Sequence, residues 1–361
     1  VELRAERALD PAEWPMVFET LVAIDDAGRV RPALATSWRR DSSAKRWQFR
    51  LRPNVAIHNG GALSASLAAS ALEANGCSAS AAGDDVVVLC ETPVPLAAFA
   101  EARRAVYVRG AGGALLGTGP FRIADWAPGR ATLAANDDYW AGRPFLDQIV
   151  VQTGHNTKQQ LFDLEAGKTD LIELGPDDVR NASKAGARIW TSAPVSLLAL
   201  VFEPGRPASE DAGVREAIAR SIDRPAILNV ILQKQGEVAG GLLPRWLSGY
   251  SMLFSTARDA ARSRQLAPNG SALTLAYEPS DALARMVADR VAVNAREAGI
   301  RLTQPPAGAQ PDVRLVRLRI APPIPEIAFG RLAAALRLPN PARQPAAVPL
   351  ETLYAAERAV V

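Results

Sequence analysis

The chain has 361 residues, 48% of them hydrophobic, with 41 basic against 38 acidic side chains and a formal net charge of +3. That near-balance, without any long Lys/Arg block, argues against a nucleic-acid binder, and the longest apolar run, "LLALVF", is too short to span a bilayer as a helix. The length suits two or three packed units, and the opening "VELRAERALDPAEWP" has neither the basic start nor the apolar core of a leader, as a mature or trimmed form also would.

In chain order, the apolar run 17–24 closes on a turn, "DDAG". "WQFRL" then alternates Trp47, Phe49 and Leu51 against Gln48 and Arg50, the pattern of a half-buried strand. Ser64 predicts the cap of a short helix that contains Leu67 and Leu72. Cys77 and Cys90 flank "SASAAGDDVVVL". A two-residue turn at Gly83-Asp84, glycine first as a type II′ turn prefers, pairs Ala82 with Asp85 and, further out, Cys77 with Cys90. That pair falls on a non-hydrogen-bonded position, where side chains approach closest and a bridge can form. The spacing thus predicts a cross-strand disulfide and an oxidising compartment, the alternative being two buried free thiols in another register.

"GTGPFRIADW", residues 117–126, resembles a phosphate-cradling loop in its glycines alone. Pro120 removes a backbone donor and a strand follows where a phosphate loop needs a helix, so the motif reads as an architectural turn. "NTKQQLFDLEAGKTDLIEL" predicts a helix with Leu161 and Leu164 inward, a stop at Gly167, and a strand around Leu171 and Ile172. "VSLLALVF", 195–202, is a strand-length run for burial on both faces. Val214, Ala217, Ile218, Ser221 and Ile222 recur at helical spacing, and Asp223 caps a second helix with Pro225 in its first turn. A strand–helix–strand unit follows: Leu273, Leu275 and Tyr277 alternate, Leu283, Val287 and Val291 share a helix face, and Gly299 ends the helix before "IRLT". "VRLVRLRI", 313–320, adds another strand, and no order is assigned from Pro305 to Pro349 outside it.

No catalytic set is legible. There is no GxSxG elbow, the carboxylates form no acid–base pattern, and His58 and His155, the only histidines, lack metal-ligand spacing and read as ordinary loop or strand-end residues. No enzyme activity, cofactor or metal is therefore implied.

Taken together, the spaced motifs resemble the extracellular solute-binding proteins of family 5, the peptide- and nickel-type receptors of ABC importers. "LDPAEWPMVFETLVAIDDAGRVRPALATSW" is similar to the family's DP pair, "yEgL" strand, acidic turn and "PaLAesW"; "WQFRLRPNVAIHNGGALSASLAAS" to its "F-LR-gV-FhDG" segment; and "GTGPFRIADWAPGRATLAANDDYWAGRPFLDQI" to its "GTGPY…W-pG…N-dYW-g-P-lD-i" block. "FDLEAGKTDLIEL", "VREAIARSIDRPAI" and "LYAAERAVV" resemble three later motifs, in the family's order across residues 3–361.

The resemblance implies an α/β, two-lobe periplasmic-binding-protein-like fold: an N-terminal lobe from 1–52 and 117–203, a reduced inserted subdomain from 53–116, and a C-terminal lobe from 204–361. It implies a monomeric, periplasmic or extracellular receptor, possible membrane anchoring before processing included, that closes over a small solute or short peptide and delivers it to an ABC permease. Tyr139 and Trp140 are then packing residues. The alternative is a degenerate homologue that senses or docks without transport; it draws on the short inserted regions, on Ile57-His58-Asn59-Gly60 in place of "FhDG", and on Ala65, Ser66 and Leu67 in place of the "AeDV" acids. The chain also stops at Val361, before the family's usual return strand.

Peptide-binding relatives place an amine-clamping Asp after the strand at 313–320, but "RLRIAPPIPEI" holds no Asp between Arg317 and Glu326. Arg317 and Arg319 instead share one strand face, opposite Val316, Leu318 and Ile320, as solvated surface arginines or as cations facing an anionic solute. By family position, Trp14, Met16, Arg104 and Trp246 complete the candidate ligand contacts.

Overall fold

A computed structural model describes residues 2–5, 14–25, 28–72, 77–176, 178–267, 270–320, 324–338 and 350–361. It divides into two units, which meet along the chain at Leu174 and Gly175. The helix Val179–Lys184 and its sequel are held by second-unit partners: Arg180 N donates to Gln233, and the Thr191 hydroxyl to Gln235.

In the first unit, Trp47, Phe49 and Leu51 point from the strand Arg46–Leu51 into the core, as their alternation predicts. Trp47 and Phe49 both meet Phe99, with ring centroids 5.9 and 4.8 Å away. This strand lies in a four-stranded sheet in the order Ala35–Arg40, Arg46–Leu51, Asp85–Cys90, Cys77–Ala82. The hairpin therefore shares its sheet with residues upstream of 53. Its register is the expected one, with Ala82 opposite Asp85 and Cys77 opposite Cys90. Gly83 takes the positive φ of 64° that a type II′ turn needs, and the two cysteines are bonded. Ser64 Oγ accepts from Leu67 N at the start of the helix Ala65–Leu72.

The unit's second sheet has five strands, in the order Phe121–Ala127, Arg130–Ala135, Gln148–Thr153, Glu2–Ala5, Leu171–Ile172, the last two pairings being parallel. The helix Thr157–Glu165 forms where expected but buries Gln160 and Asp163, leaving Leu161 and Leu164 half-buried. Polar contacts select that face: the Gln160 amide donates to His155 O and accepts from Glu173 N, tying helix to strand end.

The second unit is built on the sheet Ser196–Phe202, Val313–Arg319, Ser271–Ala276, Ile300–Thr303. The predicted strand–helix–strand is present, with Ser271–Ala276 and Ile300–Thr303 parallel and the helix Ala282–Glu297 between them. Ser196–Phe202 is covered on both faces as expected: Leu198, Leu200 and Phe202 join one apolar cluster, Leu197 and Val201 another. The helix Ala212–Ser221 buries Val214, Ala217, Ile218 and Ser221, and Asp223 caps the next turn through Ala226 N, 2.9 Å away. In the stretch left unassigned, Pro325–Ala335 is a helix, while 339–349 lies outside the described residues. Among the described residues, no helix is long and apolar enough to cross a membrane.

The terminal helix Leu350–Arg358 is fastened by a buried carboxylate. Glu357 accepts from the backbone N–H groups of Leu242 and Leu243, at 2.5 and 3.0 Å, and from the Tyr250 hydroxyl at 2.7 Å. Burial raises the Glu357 pKa, and these three donors oppose the rise. Glu357→Ala strands all three donors in the core, at a cost of roughly 1–3 kcal/mol for each donor left unpaired. We expect the urea unfolding midpoint of the second unit to fall sharply, with Glu357→Gln intermediate.

Candidate functional site

The glycine-rich loop 117–120 is held from three directions. A Cβ on Gly117 or Gly119 would overlap the carbonyl oxygens of Val17 and Met16, so only glycine lets the two backbones meet. Phe121 N donates to Met16 O at 2.9 Å, and Gly119 N to Val17 O at 3.1 Å. His58 clamps the loop from the other side. Its Nδ1 accepts from Gly117 N at 3.2 Å and its Nε2 lies 3.0 Å from Gly119 O, so the ring is neutral with the proton on Nε2. Burial lowers the His58 pKa, in keeping with that state.

Beneath the loop, Glu19 gathers three donors from two distant segments. It accepts from the Thr118 hydroxyl at 2.8 Å, the Tyr139 hydroxyl at 3.0 Å and Trp140 Nε1 at 3.0 Å. Arg52 lies over the Trp140 ring, 3.9 Å from its centroid. Burial raises the Glu19 pKa against these donors and the Arg52 charge, and the Tyr139 hydroxyl is pushed up by burial and by Glu19 itself. Tyr139 and Trp140 are thus packing residues that also donate. Sequence reasoning missed Glu19, Arg52 and the clamping role of His58. The one available signal was that "FETL", "IHNG", "GTGP" and "DDYW" all resemble family motifs, which suggests that they meet.

The candidate contacts fall into separate places. Trp14 is 7% exposed, tilted against Trp126 at 5.4 Å, and lines a cavity of about 40 Å³ with Trp126, Arg130, Val151 and Thr153; its buried Nε1 has no partner. Met16 borders the glycine loop through its carbonyl, and its side chain is exposed. Arg104 is buried beside the disulfide, donating to Cys77 Sγ at 3.4 Å. In the second unit, the partly exposed Trp246 donates through Nε1 to Pro194 O at 3.1 Å, where the chain enters Ser196–Phe202. Arg317 and Arg319 share the exposed end of one strand face, across from Leu198 and Ser196. Arg317 also pairs with Asp281 at 2.9 Å. Val316, Leu318 and Ile320 turn to the opposite apolar cluster, as the alternation predicts.

The architecture is that of the two-lobe α/β solute-binding proteins. The chain overlays completely on 90% of NikA from Staphylococcus aureus in complex with Ni(L-His)2, with a TM-score of 0.79 at 18% identity. The profile of the bacterial extracellular solute-binding proteins, family 5 (middle), matches residues 78–305, and the chain belongs to that family. In sequence it is 30% identical to the oligopeptide-binding protein AppA of Bacillus subtilis over 126 residues, 34% of this chain and 23% of AppA. It is 26% identical to the nickel-binding protein NikA of S. aureus over 238 residues, 60% of this chain and 48% of NikA. These matched stretches thus span about a quarter of AppA and half of NikA.

Two outcomes test the loop anchorage. Gly119→Ala forces backbone against backbone, and overpacking of this kind costs about 1–3 kcal/mol, which chemical denaturation of the first unit will show. For His58, the folded state disfavours the charged ring, so as pH falls through about 6.5 the unfolded chain takes the proton first and stability drops. His58→Gln removes that segment of the pH–stability curve, measured by urea unfolding between pH 5 and 8.

Proposed function

We propose that this chain is the extracytoplasmic solute receptor of an ABC importer, acting as a monomer that captures a small solute between its two lobes and presents it to the membrane permease. The match to the family 5 solute-binding profile over residues 78–305 is the observation that carries the reading, and the overlay on NikA supports the fold it needs. Capture of this kind is physical: the solute binds the closed state better than the open one, and that difference in affinity moves the equilibrium.

The solute is a small polar or anionic molecule. The segment from Arg317 to Glu326 offers no Asp to hold a peptide's amine, whereas Arg317 and Arg319 offer guanidinium groups suited to a carboxylate. Met16, Trp246, Arg317 and Arg319 are the proposed surface contacts; Trp14 and Arg104 support the structure from below. NikA holds Ni(L-His)2, which carries carboxylate groups, and a chelate of that kind belongs among the solutes to be tried.

Native mass spectrometry of freshly purified protein should find a bound small molecule, and a thermal-shift panel of organic acids, nickel–histidine chelates and short peptides should find an anionic stabiliser. A solute at 100 times its Kd adds about 2.7 kcal/mol of stability. Replacing both Arg317 and Arg319 with Met should abolish the shift, while loss of the partly exposed Arg317–Asp281 pair lowers the unliganded Tm only slightly. Stabilisation by cationic peptides alone would overturn the anionic assignment. If nothing co-purifies and no solute class shifts the Tm, the receptor reading fails in favour of the non-transporting homologue.

A further inference from the structure

Arg104 takes no part in the loop anchorage, yet it is 96% withdrawn from solvent by the 4% exposure it retains. Its guanidinium lies over the Phe99 ring, 5.1 Å from the centroid, one Nη donates to Cys77 Sγ at 3.4 Å, and Nε has no partner. The adjacent carboxylate, Glu101, is engaged by Arg103 at 2.8 Å. Burial works against the Arg104 charge, Arg103 adds repulsion, and Glu101 opposes both. A disulfide sulfur is a weak acceptor and compensates a desolvated cation poorly. A thiolate at the same place is a full counter-charge.

The two sulfurs also differ in access: Cys77 is half-buried and Cys90 is 3% exposed. The helix packed on the hairpin, Ala65–Leu72, carries no charged residue, and the partner strand carries only Asp85, at its far end. Beyond these elements, the charge that touches Cys77 is Arg104, which in turn feels Arg103 and Glu101.

We propose that Arg104 makes Cys77 the reactive thiolate of the pair whenever the bridge is open, a modification site for thiol-directed electrophiles and for disulfide exchange. A dithiol reductant opens the bridge. One of its thiolates attacks the accessible Cys77 Sγ, a mixed disulfide forms, and Cys90 leaves as a thiolate and takes up a proton. The reductant's second thiol, giving its proton to solvent, attacks the mixed disulfide. The reductant departs as a cyclic disulfide, two electrons have passed to the protein, and Cys77 remains as a thiolate beside Arg104.

The test is the rate of iodoacetamide alkylation at each cysteine, read by peptide mass spectrometry between pH 5 and 9. It is run on the reduced protein and on Cys90→Ser, which holds Cys77 as the sole thiol without reductant. The expected midpoint for Cys77 lies at least about one pH unit below the ordinary thiol value of about 8.5, and Cys77 reacts about tenfold or more faster than Cys90 at pH 7. Arg104→Met should slow Cys77 about tenfold at pH 7 and move its midpoint up by about one unit, while Arg104→Lys retains most of the effect. A midpoint at or above about 8.5 in the unsubstituted chain overturns the proposal without reference to any Arg104 variant. So does a midpoint that Arg104→Met leaves in place.

Discussion

The first unit depends on one half-buried carboxylate. Glu19 receives two hydroxyls and an indole N–H from residues about a hundred positions further on. An ionised carboxylate accepts at two oxygens and donates nothing, so donors can converge on it from several directions; an amide in its place has one accepting oxygen and an N–H₂ that would face other donors. Burial makes the charge costly, and the hydrogen bonds offset that cost only while all the segments are seated. The same anchorage fixes the route of the glycine loop, which sets the start of Phe121–Ala127 and hence one end of the five-stranded sheet.

The second unit solves a similar problem with Glu357. Leu242 and Leu243 lie outside any strand, ahead of the short helix Arg245–Ser248, so their backbone donors have no ladder partners, and Glu357 supplies acceptors from the terminal helix. In both units a carboxylate gathers donors where the chain is irregular, side-chain donors at Glu19 and two backbone N–H groups with a hydroxyl at Glu357.

Local rules made much of the fold legible. The hairpin register followed from one turn dipeptide, the strand–helix–strand unit from two periodicities and a stopping glycine, and the two faces of Val313–Arg319 from simple alternation. What escaped was decided by polar contacts across long sequence distances. The helix Thr157–Glu165 turned Gln160 inward because the ends of neighbouring segments needed its amide, a preference that an apolar pattern cannot express. Glu19 and His58 look like any polar residues in a loop, since their partners lie in other motifs. Arg104 was placed by its position after the hairpin, and nothing local marks it as lying under the disulfide rather than at a surface. Residues 175–195 carry no strong apolar signal, and the polar contacts that hold two of them could not be read from a local pattern.

The arrangement at Arg317 bears on the proposed anionic solute. Asp281 has two tasks: it caps the helix Ala282–Glu297 by accepting from Ala284 N at 2.9 Å, and it pairs with Arg317. If a solute carboxylate draws Arg317 away, the cap, worth about 1 kcal/mol, stays in place because it does not involve the arginine. What is lost is a partly exposed ion pair, worth about 0–1 kcal/mol. Until then Asp281 holds the guanidinium near one geometry, so less side-chain entropy remains to be lost on binding. An arginine already paired to an aspartate is therefore no weaker a candidate than an unpaired one: the aspartate orients it and gives it up at little cost.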